Sequence, residues 1–306
     1  MKALILAGGT GSRLYPLSQI ANKQLQPVYD KPMIYYPLTV LIAAGIREFC
    51  VITTPQDNPS FRRLLGDGSQ WGIEIEYRLQ ERPEGIAQAF VIAESFVGDD
   101  DVVLMLGDNI FFGGDAFPRA LESFTGGAIV FAYHIKNPQA YGVIEFNPDG
   151  KALSIEEKPL HPKSNYAVPG IYIYDNRVIG IAKGLKPSAR GELEITDVNR
   201  AYLATGELYV RRLSRGFAWL DAGTSSSLQE ASHYVETIER RQGVKLGCPE
   251  EAALMSGFLT LPRFRAVVKA MPNCEYRDYL VGVADEYENL APGIHERPSI
   301  ATGTGR

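Results

Sequence analysis

The chain has 306 residues, 45% of them apolar, 22% charged and 10% aromatic, and its formal net charge is −5. That length is enough to bury a native-sized core in one large α/β domain or two smaller ones. The acidic balance leaves no global field for nucleic acid or an anionic membrane, and no run reaches the about eighteen apolar residues of a spanning helix.

In chain order, Lys2–Leu6 reads as a buried strand that runs directly into Gly8, Gly9 and Gly11. Glycines there permit positive φ and bring backbone N–H groups close to an anion; they would equally serve a tight strand-to-helix turn that holds nothing. Met33–Ala44 carries apolar residues at helical spacing and stops at Gly45, as a C-cap would. Glu48–Thr53, Ile73–Tyr77, Val102–Leu106 and Ala128–Tyr133 read as further strands, with a helical pattern over Ile86–Phe96. This alternation predicts a doubly wound α/β sheet. Past residue 140 come short strands, Gly142–Phe146, Leu153–Glu157 and Val168–Tyr174, read as antiparallel additions to the same sheet. Ser226–Arg241 is one long helical pattern ending at Gly243, and Pro249–Asp285 reads as a small helical region. The domain reading is therefore 1–245 with additions in 140–225, a helical region over 246–288 packed on it, and a Pro/Gly/Ser/Thr-rich tail over 289–306 expected to be disordered.

Cys50, Cys248 and Cys274 are odd in number and far apart, which reads as buried or inert thiols in a reducing, cytoplasmic setting. No Cys or Ser sits in a nucleophile motif, so covalent catalysis has no candidate. A Walker loop needs GxxxxGK[ST], and no Lys-Ser or Lys-Thr follows the last glycine. A dinucleotide fingerprint needs GxGxxG, and the third glycine position is Leu14.

Arg13 and Lys23 distinguish the loop. An arginine there can fork to two phosphate oxygens, and Lys23 reads either as a second phosphate ligand or as a solvated surface lysine. Val102–Leu106 ends in Gly107-Asp108, which delivers a carboxylate to the carboxyl edge of a parallel sheet unless it merely caps the next turn. Asp221 likewise follows a short apolar run and precedes glycine. Two isolated aspartates brought together suit Mg²⁺ better than zinc. Gln80 offers one donor and one acceptor, matching a thymine or uracil edge, or is a surface glutamine. Lys158, beside Glu156 and Glu157, reads on its own as a surface ion pair.

The pattern GGxGxRLxP followed by KxxxPV, here Gly8 to Pro16 and Lys23 to Val28, resembles the signature of the sugar nucleotidyltransferases. The blocks PVYDKPMIYYPL, LLGDGSQWGI, LGDNIF, AYGVIEF, EEKP, SNYAVPGIYIYD, ARGELEITDVN and AWLDAGT extend the resemblance to the short-form glucose-1-phosphate thymidylyltransferases. The resemblance implies a Rossmann-like three-layer nucleotidyltransferase fold with a mixed, mainly parallel central sheet. It implies direct displacement on dTTP by glucose 1-phosphate with Mg²⁺, a cytoplasmic homotetramer, and a product feeding deoxysugars such as rhamnose. Catalytic roles fall to Arg13, Lys23 and Lys158, and the metal to Asp108 with Asp221. Nucleotide contacts fall to Leu6, Gly8, Gly9, Thr10, Gly11, Ser12, Arg13, Gln24, Gln80 and Gly85. The sugar phosphate falls to Asn109, Tyr141, Gly142, Glu157, Lys158, Val168 and Trp219, with Glu192 and Thr196 near by. The chain departs from the family at Gln26, Gly114 and Ala222–Ser227; Gly114 and the block Gly247–Met255 lie where the family makes subunit contacts and holds a second, product-sensing nucleotide.

Overall fold

In the computed structural model, which describes residues 1–9 and 11–289, the sheet is organised around β1 (Lys2–Ala7). Thr10 and the tail from residue 290 lie outside the described residues. Alternate β1 side chains enter different cores, Ala3, Ile5 and Ala7 on one face and Leu4 on the other, so the strand is buried on both sides. A short β2–β3 ribbon (Pro27–Val28, Lys31–Pro32) leads to α1 (Tyr35–Ala43), and β4 (Glu48–Thr53) then pairs parallel to β1. After α2 (Asn58–Leu65), β5 (Glu74–Leu79) extends the sheet outward beside β4. The chain returns through α3 (Gln88–Ile92) and α4 (Glu94–Val97) to β6 (Val102–Leu106), parallel to β1 on its other side. The single helix expected over Ile86–Phe96 is thus two short ones. The Ala87 amide bonds the Leu193 carbonyl (3.1 Å) instead of starting a helix, and Ala93 leaves helical geometry at φ −96°, ψ 11°.

β7 (Asn109–Phe112), α5 (Ala116–Glu122), β8 (Ala128–His134), β9 (Gly142–Phe146), β10 (Ala152–Glu157), β11 (Tyr166–Ala167) and β12 (Ile171–Tyr174) follow. The sheet runs β10-β9-β11-β8-β12-β6-β1-β4-β5, and β10, β11 and β12 oppose the direction of the other strands. The strand read as Val168–Tyr174 is broken. Its register against β8 slips between β11 and β12, because Val168 N–H goes to Gly142 O (2.8 Å) and Gly170 N–H to the Asn109 side chain (2.9 Å).

After α6 (Arg177–Gly184) and α7 (Ile195–Ala204), β13 (Leu208–Arg212), a strand outside those read from the sequence, pairs with β8 in parallel, whereas the short strands read past residue 140 do pair antiparallel with their neighbours. β14 (Ala218–Asp221) pairs with β7 in a separate ribbon. α8 (Ser225–Gln242) begins in a Thr224/Ser227 capping box and ends at Gly243, whose φ of 70° only glycine adopts freely. α9 (Pro249–Met255), α10 (Leu261–Lys269) and α11 (Glu275–Asn289) share the core face of α1 and α2, while α3, α6 and α7 cover the opposite face. The result is three layers, helix, sheet and helix.

Candidate active site

The sheet reverses its order at β1, since the chain adds β4 and β5 on one side before returning to β6 on the other. Ligands in such sheets bind beyond the carboxyl ends of the strands at that point. A cleft of about 420 Å³ lies there. Of the residues read from the sequence, Leu6, Gly8, Gly9, Arg13, Gln24, Gln80, Gly85, Asp108, Asn109, Tyr141, Gly142, Glu157, Lys158, Val168, Trp219 and Asp221 line it, as do Glu192 and Thr196. Gly11, Ser12 and Lys23 are not on its wall.

At the centre, β6 ends at Leu106 and carries Asp108 two residues beyond it. Its Oδ1 accepts from Asn109 Nδ2 (2.8 Å), and its Oδ2 is paired with the Lys23 ammonium. Lys23 is only 8% exposed, so it is not a solvated lysine, and its cation is turned to Asp108 behind the cleft wall. Asn109 is fully engaged, because its Oδ1 also accepts from Trp219 Nε1 (2.7 Å) and Gly170 N (2.9 Å). Pairing of Asn109 with Asp221 across β7 and β14 brings the second aspartate beside the first. A Cβ on Gly223 would stand 3.2 Å from Asp221 Oδ1 and 3.3 Å from Arg13 Nη2, so a side chain there would press on both groups. Arg13 itself rides a single 3₁₀ turn launched from Gly11 at φ 58°.

Burial, and then the Asp108 charge, push the Asp221 carboxyl up to about 6, against the opposing pull of Lys23, Arg13 and Lys158. A cation between the two aspartates would relieve that strain. The donors are hard carboxylate oxygens, and the described residues contain no cluster of three or more His, Cys, Asp or Glu able to enclose a metal by themselves. That set fits Mg²⁺ completing its shell with phosphate and water, and does not fit a closed zinc site.

At one end of the cleft, Gly8 and Gln80 stand against each other beside Gly85, where φ is 110° and a Cβ would come within 2.4 Å of the Leu193 carbonyl oxygen. Gln24 is 4% exposed, and its buried Oε1 has no protein donor, an acceptor left for something the protein does not supply.

At the other end, Tyr141 packs edge-on against Trp219 (4.9 Å), which packs against Tyr133 (5.6 Å). Glu157 Oε2 accepts from the Thr196 hydroxyl at 2.6 Å, leaving Oε1 to the cleft. Lys158 holds φ 43°, an unusual conformation for a side chain with a Cβ, fixed by its N–H to Tyr141 O (3.0 Å). It lies 3.8 Å from Glu157 Oε1, so the surface ion pair read from sequence is loose. Strain at a cleft residue points to function. Sequence reasoning did not single out Gly170, Tyr172 and Asn199, which also line the cleft. Asn199 is 1% exposed with Oδ1 taken by the Tyr174 hydroxyl (2.6 Å), and nothing in its helical sequence context marks it. Gln26, which departs from the family, donates to the Leu17 and Ala21 carbonyls (3.1 and 2.9 Å) and so ties down the loop behind Arg13. Cys50 and Cys248 are buried, Cys274 is exposed, and none lines the cleft. Among the described residues no helix is long and apolar enough to cross a membrane.

Residues 2–238 match the nucleotidyl transferase family model. A glucose-1-phosphate thymidylyltransferase of Neisseria meningitidis is 55% identical over 284 residues, 92% of this chain and 98% of that one. One from Mycolicibacterium smegmatis is 56% identical over 93% of this chain and 99% of its own length, and one from Actinoplanes is 50% identical over the whole of both. A solved UDP-glucose pyrophosphorylase, 22% identical, shares the fold with a TM-score of 0.69 over 77% of this chain and 98% of that one.

Proposed function

This chain belongs to the nucleotidyl transferase family, and from that premise we propose that it transfers the thymidylyl group of dTTP to glucose 1-phosphate, releasing diphosphate and forming dTDP-glucose. One observation carries the reading: a single cleft holds Arg13, Lys158, Asp108 and Asp221 between the Gln80/Gly85 wall and the Glu157/Tyr141 wall. The names of relatives at 50–56% identity favour thymine as the base.

In this reading a phosphate oxygen of glucose 1-phosphate attacks the α-phosphorus of dTTP. The new P–O bond forms as the bond to the β-phosphate breaks, and the electron pair leaves with diphosphate. Two anions must meet, so positioning and charge neutralisation do most of the work. At about 4 Å and an effective dielectric near 20, each fixed cation is worth on the order of 4 kcal/mol to a unit charge. Arg13 forks to the departing diphosphate, and Lys158 neutralises the sugar phosphate and α-phosphate. Asp108 and Asp221 hold Mg²⁺, which when bound neutralises phosphate charge. Lys23 fixes the Asp108 carboxylate rather than touching substrate. Gln80 and the Gly85 backbone read the base, and Glu157, oriented by Thr196, accepts from sugar hydroxyls. The same reading includes a cytoplasmic homotetramer and a product that enters deoxysugar synthesis.

The test is a coupled diphosphate-release assay with glucose 1-phosphate and either dTTP or UTP, with and without magnesium. Magnesium-dependent release favouring dTTP is expected; a clear preference for UTP overturns the base assignment, and no release with either overturns the reading.

A further inference from the structure

We propose that Gln88 is a positioning residue for base recognition, fixing which end of the Gln80 carboxamide faces the nucleotide. The inference rests on the transferase reading and deepens it.

Gln80 Nε2 donates to Gln88 Oε1 at 2.7 Å and lies 3.4 Å from the Gly85 carbonyl oxygen. Gln88 Nε2 in turn donates to Glu84 Oε2 at 2.8 Å, and Gln88 Oε1 also accepts from the Glu84 backbone N–H at 3.3 Å. A carboxamide fits its site almost equally well after a half-turn that exchanges oxygen and nitrogen, so its polarity must be set by neighbours that cannot change roles. Three such neighbours are present. The Glu84 carboxylate accepts, the Glu84 N–H only donates, and the Gly85 carbonyl only accepts. All three demand the same arrangement: Gln88 turns its nitrogen to Glu84 and its oxygen to Gln80, and Gln80 must answer with its nitrogen.

The consequence lies in the cleft. With Nε2 committed to Gln88, Gln80 Oε1 faces Gly8, where it is 2.3 Å from the place a Cβ would take. The nucleotide therefore meets a fixed acceptor, plus the Nε2 hydrogen held only by the long Gly85 contact. Thymine and uracil present an N3–H donor beside a carbonyl and satisfy both groups. Cytosine presents a bare N3 lone pair beside an amine, so at a fixed Gln80 it sets acceptor against acceptor and donor against donor. A Gln80 free to flip would read cytosine as well as thymine. Rejection of cytosine then belongs to the Glu84–Gln88 relay, and not to Gln80 alone.

The experiment compares kcat/KM for dTTP and dCTP, with glucose 1-phosphate saturating, in the wild type, Gln88→Leu and the exchange Glu84→Gln with Gln88→Glu. In Gln88→Leu the dTTP/dCTP ratio is expected to fall by on the order of tenfold, about the worth of one hydrogen bond. The exchange keeps one carboxylate and one amide in the relay, so that position 88 still accepts from Gln80 Nε2, and is expected to keep the ratio. If both nucleotides lose rate together in Gln88→Leu, so that the ratio stands, the role is structural and the proposal falls; it also falls if the exchange loses the ratio. A wild type that turns over neither nucleotide overturns the transferase reading, and this one with it.

Discussion

The two halves of the sheet build their parts of the cleft by different means. In the half formed by β5, β4, β1 and β6 the strands are parallel, and each functional group sits just beyond a strand end: Gly8 after β1, Gln80 after β5 and Asp108 after β6. In the other half, β8 to β13 together with the separate β7–β14 ribbon packed beside it, the groups come from interruptions. Lys158 sits at a left-handed residue past β10, Val168 at a strand break, and Asp221 at the end of a ribbon that pairs only with β7. The first half delivers side chains by rule, whereas the second depends on particular distant partners. A change in the first should therefore remove one function, and a change in the second should disturb several.

Asp108→Asn is the largest expected effect. Loss of a metal-holding carboxylate should lower kcat by on the order of 10³-fold, since several kcal/mol of charge stabilisation go with it. It also strips the buried Lys23 of its anion, and a cation left unpaired there should cost about 3 kcal/mol of stability in urea unfolding. Adding Lys23→Met to Asp108→Asn should recover stability without recovering activity. Stability that stayed low would show that Lys23 has another anchor.

Asn109→Ala probes the joint between the halves. Its Nδ2 holds Asp108 of the parallel half, while its Oδ1 holds Gly170 and Trp219 of the other. Removing it should leave two buried donors unpaired, about 2–4 kcal/mol in all, and lower kcat/KM for glucose 1-phosphate by about 100-fold, with dTTP binding nearly unchanged. Equal losses for both substrates would contradict the division between the halves.

The same division decided what could be read from the sequence. β1, β4 and β6 are largely apolar runs and β5 alternates apolar with charged residues, each closed by glycine or polar signals, so their positions and the groups after them were legible. The break at Val168–Gly170 carries a local signal, the turn dipeptide Pro169-Gly170, but its partner Asn109 lies far away in sequence and was not legible. Lys158 looked like an ordinary surface lysine because sequence does not display φ. Lys23 was legible as a cation, but its partner depends on how the loop from Gly11 folds back on β6.

Lys158 gives a smaller and cleaner comparison. Lys158→Ala and Lys158→Gly both remove the charge and should lose the same activity toward the sugar phosphate. The glycine variant alone relieves the positive φ, and it should be more stable than the alanine variant by about 1 kcal/mol in urea unfolding. Equal stability would mean that the Tyr141 contact holds this backbone without strain.

Asp221 carries the smallest expected shift, one visible only without metal. Its carboxyl sits at about 6 in the fold against an ordinary 3.8, so the folded chain holds a proton there that the unfolded chain has lost. Between those values, stability of the metal-free protein should fall as pH rises, because ionising Asp221 in the fold works against burial and Asp108. Asp221→Asn removes that penalty while abolishing activity, and after allowance for solvent screening should stabilise the metal-free protein at pH 7 by on the order of 1 kcal/mol, or about 2 °C in Tm. Magnesium should close the gap by stabilising the wild type alone. A mutant no more stable than the wild type at pH 7 would mean that Lys23 and Arg13 already balance the aspartate pair, and that the cleft is neutral before any metal enters.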